Sequence, residues 1–272
     1  MEVHCWSHDL IDLADFPSEL IKKDESVLAN SVNVANYRFL QELKQSHKVL
    51  EVGCGCSSFL KDNMVNPRNW FGIDVYDYDN RGRTCIATHK ASVHNTPFSE
   101  NTFDFVVSNQ SIEHWTEYSV SLEAGFCEIW RILKVEGRAY FNFPFYLHGD
   151  PIFVRGELDK ILDKLPKNLW EIKEIVAYKN SETCNYKGWR RCGFPDFYIN
   201  KRGVVPSSFV VEIVIAKRNC EIENFSLIQK RNTNITVRKK SSLERAYRHG
   251  VGYVCWRFLS KLNSIIKNQR SS

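Results

Sequence analysis

HKVLEVGCGCSSFL, residues 47–60, is the stretch on which the reading of this chain turns. It opens as an apolar run and breaks into two glycines one residue apart, Gly53 and Gly55. Glycine lacks a Cβ, so such a turn can take positive φ and let a ligand come close to the backbone. A helix that starts just beyond it offers free N–H groups. In an open parallel sheet, ligands sit beyond the carboxyl ends of the strands, which is where a strand ending in this turn would place them. The next apolar run, WFGIDV (70–75), ends on Asp74, 21 residues after Gly53. A carboxylate there is placed to accept hydrogen bonds from two ribose hydroxyls. The pattern predicts a nucleotide or nucleoside ligand. A dinucleotide fingerprint asks for a third glycine where this chain has Ser58, and a Walker loop asks for Gly-Lys-Ser/Thr, which is absent.

Further strands are expected at 48–53, 85–89 (CIATH), 103–109 (FDFVVSN), 138–144 (RAYFNFP), 170–178 (WEIKEIVAY) and 208–217 (SFVVEIVIAK). Phe105, Val106 and Val107 in succession suit a parallel strand covered on both faces. Between 109 and 138, SLEAGFCEIWRILK spaces Leu122, Phe126, Ile129 and Leu133 along one helical face, completing a strand–helix–strand crossover. The last two strands lack such a crossover and are expected to be antiparallel at the sheet edge. The fold class predicted is α/β: a doubly wound, Rossmann-like, mostly parallel seven-stranded sheet with an antiparallel edge strand. It is preceded by a helical section (1–46, helical from about 14) and followed by a linker (218–241) and a C-terminal amphipathic helix (242–272). The core domain is expected over 47–217, a length sufficient to bury one sizeable core.

Four motifs in order, VLEVGCGCSS, WFGIDV, HNTPFSENTFDFVVSNQSIEHW and EIWRILKVEGRAYFNFP, resemble those of class I S-adenosylmethionine-dependent methyltransferases, nearest the type 11 group. The resemblance covers roughly residues 47–145. It implies S-adenosyl-L-methionine as cofactor, with Glu51, Gly53 and Gly55 at its amino-acid end and Asp74 at its ribose. It places Ser92, with Val93 beside it, where relatives carry an acid that contacts the adenine amino group, and Asn109 and Gln110 near the reacting methyl. Cys56 stands where many relatives have glycine, with Ser57 available to cap the following helix. Val135-Glu136-Gly137 replaces the usual proline-glycine-glycine.

Methyl transfer from a sulfonium is an in-line displacement that needs alignment and exclusion of water, with no metal. A hydroxyl acceptor profits from a general base, which draws attention to His114 after the fourth strand and His148 after the fifth, the latter with Asp150 in reach to orient it. The aromatic segment that includes Tyr186, Trp189, Phe194, Phe197 and Tyr198 suits a sugar or another planar, partly apolar acceptor.

Charge divides the chain. Residues 1–216 carry 24 Lys and Arg against 29 Asp and Glu, whereas residues 217–272 carry 13 against 3. From Leu243 the series Tyr247, Val251, Val254, Phe258, Leu262 and Ile265 lies on one side of a helix whose other faces carry Arg245, Arg248, Arg257, Lys261 and Lys267. Such a basic amphipathic helix can lie on an anionic membrane surface, or dock on the body or a partner protein. The nine cysteines show no C-x2-C spacing, the N-terminus lacks the order of a secretory signal, and no apolar run is long enough to span a bilayer. Reduced thiols in a cytoplasmic protein, peripheral at a membrane through the tail, are the expectation. The function expected is methyl transfer to a hydroxyl of a small molecule or glycan, lipid-linked if the tail sits on a membrane. A nucleic-acid methyltransferase and a non-catalytic cofactor-binding scaffold are the alternatives, the first disfavoured by the acidic body.

Overall fold

The computed structural model describes residues 9–21, 27–79, 82–145, 149–154, 156–179, 197–200, 203–206 and 209–219. His148, the loop residues Tyr186, Trp189 and Phe194, and the tail from 220 onward lie outside them, as do the side chains of Phe197 and Tyr198.

The first strand, β1 (Asp9–Asp12), leads into a single 3-10 turn and then α1 (Val27–Glu42). The glycine turn follows β2 (Val49–Val52) and precedes a short α2 (Phe59–Asn63). Next come β3 (Trp70–Asp74), a two-residue β4 (His89–Lys90), β5 (Phe103–Asn109), α3 (Leu122–Ile132) and β6 (Leu133–Phe145). Two short helices, α4 (Pro151–Val154) and α5 (Leu158–Leu162), connect to β7 (Trp170–Lys179). A small hairpin of β8 (Phe197–Asn200) and β9 (Gly203–Pro206) precedes β10 (Phe209–Lys217).

The main sheet has the order β1-β7-β10-β6-β5-β2-β3-β4. Among its described strands only β10 runs antiparallel to both neighbours. Alternate residues of the central strands feed two separate cores. Leu50, Val106, Phe141 and Ile213 pack with Phe126, Ile129 and Ile161 of α3 and α5, while Val49, Val107, Tyr140 and Val214 pack with Phe39 and Leu60 of α1 and α2. Helices thus cover both faces, the doubly wound α/β arrangement, and each large side chain so buried contributes about 1.5–3 kcal/mol.

Three expectations are corrected. Among the described residues the sheet has eight strands rather than seven, and its antiparallel strand is interior, between β6 and β7. Burial explains this: Val210 to Lys217 are buried without interruption, so β10 needs a neighbour on each side. The edge falls instead to β1, four residues with an aspartate at either end, a short acidic edge that resists further pairing. The expected helical section is not separate from the core domain: among the described residues it holds a 3-10 turn at Leu13–Asp15 and α1 from Val27, and β1 and α1 belong to the same sheet and core as the later strands. Finally, of the expected 85–89 strand only His89 lies in a strand paired with β3, together with Lys90 beyond it. Thr88 N donates to Gly72 O of β3 (2.9 Å), but Ile86 N donates to Gly55 O (2.9 Å) and Cys85 N to Asp77 O (2.8 Å), so the start of this run folds over the glycine turn.

Candidate cofactor site

The carboxyl ends of β2, β3 and β5 form one edge, and the site is built on it. Gly53 N and Cys54 N both donate to Ile73 O of β3, at 2.9 and 3.3 Å. This doubled bond turns the chain out of the sheet and requires φ +72° at Gly53 and +61° at Gly55. The two glycines serve different ends. A Cβ on Gly53 would lie 2.3 Å from Ser111 Oγ, whereas one on Gly55 would meet nothing within 4 Å. Gly53 therefore fits packing and Gly55 faces open space. Gly53→Ala is expected to lower unfolding free energy in urea by about 2–4 kcal/mol through strain and overlap. Gly55→Ala is expected to cost about 1 kcal/mol of stability while its methyl fills the open space and weakens cofactor binding in calorimetry.

Asp74 ends β3 buried beneath the turn. Its Oδ2 accepts from Gly55 N (3.0 Å) and its Oδ1 from Val75 N (2.7 Å). Burial pushes its carboxyl above the usual range, against the pull of these backbone donors. One β-strand away, Glu51 is also buried, and burial raises its carboxyl too. Its Oε2 accepts from Trp70 Nε1 (2.9 Å) and from the hydroxyl of Ser58. Ser58 also caps α2 by accepting from Lys61 N (3.0 Å); Ser57, the cap expected from sequence, is exposed.

Beyond β5, Asn109 Nδ2 donates to Asn36 Oδ1 of α1 (2.8 Å). Gln110 takes φ +53°. Its backbone N donates to Asn142 O (2.7 Å) and its Nε2 to Asn142 Oδ1 (2.5 Å). That leaves Gln110 Oε1 and Asn142 Nδ2, one acceptor and one donor, buried without a partner among the described residues. On the other side Ala91 N donates to Asp74 O (2.9 Å), which brings Ser92 and the buried Val93 to the same edge. His94, absent from the sequence reading, is buried beside them; its Nδ1 is 2.9 Å from Ser92 Oγ, and burial lowers its pKa. Its only sequence signal was its place two residues after Ser92.

His114 lies in a 3-10 helix (112–118) after β5, partly exposed, with Nδ1 3.4 Å from Glu117 Oε1 and Nε2 3.8 Å from Glu113 Oε1. Asp150, expected to orient His148, is engaged otherwise: Oδ2 accepts from Thr116 Oγ1 (2.6 Å) and Oδ1 from Ile152 N (3.1 Å), which caps α4.

Residues 50–141 match the family model for the type 11 methyltransferase domain. The chain carries an S-adenosylmethionine-dependent methyltransferase domain. The match runs from β2 through β6 and so includes the glycine turn, Asp74, Gln110 and His114. Methyl transfer is the activity of this domain and S-adenosylmethionine its donor. Comparison with curated protein sequences gave no match. Among solved structures, the chain is similar to geranyl diphosphate C-methyltransferase from Streptomyces coelicolor, solved with Mg2+, geranyl diphosphate and S-adenosyl-L-homocysteine (16% identity, 80% of this chain and 92% of that one, TM-score 0.44). It is also similar to the [4+2]-cyclase SpnF (14%, 79% and 89%, TM-score 0.46) and to YcgJ from Bacillus subtilis (13%, 69% and 99%, TM-score 0.41).

The donor set fits this cofactor. S-adenosylmethionine is cationic at sulfur and at its amine, and two buried carboxylates line the edge where it would lie. The unpartnered amide oxygen of Gln110 suits an ammonium and the amide nitrogen of Asn142 a carboxylate.

Proposed function

We propose that this methyltransferase transfers its methyl group to a hydroxyl of a small molecule or glycan. In this reading Gly55 and Asp74 hold the adenosyl part, with Asp74 accepting from the ribose hydroxyls through its remaining lone pairs. Ser92 and Val93 flank the adenine, and Glu51, Gly53, Asn109 and Gln110 surround the methionyl part. The bound cofactor supplies an electrophilic methyl on a sulfonium. The protein's task is to align the acceptor oxygen behind that methyl, keep water out and receive the hydroxyl proton.

The observation that carries the hydroxyl reading is His114. It is partly exposed at the carboxyl edge of the sheet, with carboxylates at 3.4 and 3.8 Å to orient the ring and stabilise the imidazolium formed when it takes a proton. His148 is the second candidate base, on its sequence position alone. The basic tail motivates a further part of the proposal, an acceptor carried on a lipid at an anionic membrane surface. No helix among the described residues is long and apolar enough to cross a membrane; in this reading the association is peripheral and made by the tail.

The test is calorimetry with S-adenosylmethionine followed by a methyl-release assay over hydroxyl-bearing small molecules and glycans, free and in anionic vesicles. Transfer to a hydroxyl, lost by roughly 100-fold or more in His114→Gln with cofactor affinity unchanged, is expected. Binding without transfer to any acceptor overturns the reading in favour of a scaffold.

A further inference from the structure

Cysteine spacing in the sequence gives no metal motif, yet the fold gathers a set of ligands that spacing does not show. Cys54 follows Gly53 in the turn, Asp74 ends β3, and Cys85 lies in the segment folded over that turn. The two Sγ atoms and a carboxylate oxygen of Asp74 lie within 4.8 Å of one another, a grouping found once among the described residues. Cys85 is fixed over the turn, its Sγ donating to Gly55 O at 3.0 Å, and Cys54 Sγ lies within the same 4.8 Å grouping. We propose that Cys54, Cys85 and Asp74 form a binding site for a thiophilic divalent cation, zinc or cadmium, whose occupation excludes the cofactor.

The chemistry favours such a cation. Two sulfurs and one carboxylate select zinc-like over magnesium-like ions, and three protein ligands leave the fourth tetrahedral position to water. Zn–S bonds of about 2.3 Å bring tetrahedral ligands to about 3.8 Å from one another. The observed grouping needs to close by about 1 Å at most, and Cys85, half-buried on a loop, has room to turn. Burial holds both thiols protonated in the metal-free protein. Binding therefore replaces two S–H bonds by two metal–thiolate bonds and releases two protons to solvent, with no change of oxidation state.

Competition follows from Asp74, whose two oxygens already accept from Gly55 N and Val75 N, so that a cation and a ribose would contend for the lone pairs that remain. This part rests on the cofactor assignment above, whereas the metal site does not. The experiment uses the full chain kept reduced with a phosphine. Cadmium is titrated while the thiolate-to-metal charge-transfer absorption is followed in the ultraviolet, in the natural protein, in Cys85→Ala and in the Cys54→Ala/Cys85→Ala double variant. One cadmium per chain, held roughly 100-fold more weakly in Cys85→Ala and without that band in the double variant, is expected. Should the double variant misfold by circular dichroism, Cys85→Ala alone decides. An equal band and affinity in the variants, or no band in the natural protein, overturns the site. S-adenosylmethionine is then titrated with zinc at about 100 times its own dissociation constant, where competition weakens apparent cofactor affinity about 100-fold. Unchanged affinity overturns the exclusion. Failure of the metal-free protein to bind the cofactor at all overturns the cofactor assignment instead, and leaves the cadmium result standing.

Discussion

Asp74→Asn is expected to weaken S-adenosylmethionine binding by roughly 10- to 150-fold in calorimetry, with a modest fall in melting temperature, because its amide nitrogen then faces Val75 N, which donates to Oδ1 at 2.7 Å in the natural protein. The substitution conserves shape, and an asparagine oxygen can still accept from Gly55 N, the bond that ties the turn to β3 at 3.0 Å. What it removes is the charge and one of two acceptor oxygens. Hydrogen bonds to a charged group contribute about 1.5–3 kcal/mol, which sets the range. Asp74→Ala goes further, since Gly55 N then loses its acceptor as well, and a combined loss of binding and stability is expected. Protonation should imitate the substitution. Burial raises the Asp74 carboxyl above the ordinary aspartate value, so affinity in the natural protein should fall on acidification sooner than for an exposed carboxylate. The fall should be much smaller in Asp74→Asn. Equal pH profiles in the two proteins would remove Asp74 from the ribose.

The parts of this site that were legible in the sequence are those whose physics is local. An apolar run ending in Gly53 and Gly55, a second ending in Asp74, and the Leu122–Leu133 helical face each carry their signal within about a dozen residues, and each element forms where expected. Strand order is not local. Nothing in SFVVEIVIAK says that it enters between β6 and β7, although its lack of alternation marks it as buried on both faces, which an edge strand is not. DLID is too short to announce β1, because its pairing with residues 176–179 of β7 supplies what its own four residues do not. The Cys54, Asp74 and Cys85 grouping spans 32 residues and arises only because Ile86 N and Cys85 Sγ both bond Gly55 O. His94 escaped notice because its burial depends on the fold around it.

Arg38→Met should destabilise the protein by about 3–5 kcal/mol at alkaline pH and far less at pH 5. Glu212, in the middle of β10, is buried, and Arg38 reaches it from α1: Nη1 donates to Glu212 Oε1 (2.9 Å) and to Tyr178 OH (2.9 Å), and Nη2 to both oxygens of Glu174 (2.8 and 3.0 Å). Tyr178 OH donates to Glu212 Oε1 at 3.0 Å. Even so assisted, desolvation wins over the attraction of Arg38, and the Glu212 carboxyl is pushed up to about 7. A group whose folded pKa is raised contributes stability in full below its unfolded value, near 4.5, and loses it as pH rises through the folded value. The natural protein should therefore lose stability between about pH 4.5 and 7, and Glu212→Gln should flatten that slope. Without Arg38 the carboxyl titrates higher still. At pH 5 it stays neutral and the cost is confined to lost hydrogen bonds and packing. Above pH 8 the loss approaches the about 3–5 kcal/mol of a buried charge stripped of its partner, roughly 10 °C in melting temperature for a domain of this size. The Arg38→Met/Glu212→Gln double variant should recover most of it, because no unpaired charge is then left inside. Melting curves from pH 5 to 9 on the natural protein and the three variants decide the matter: a pH-independent loss in Arg38→Met would mean that Arg38 acts by packing α1 against the sheet and not by its charge.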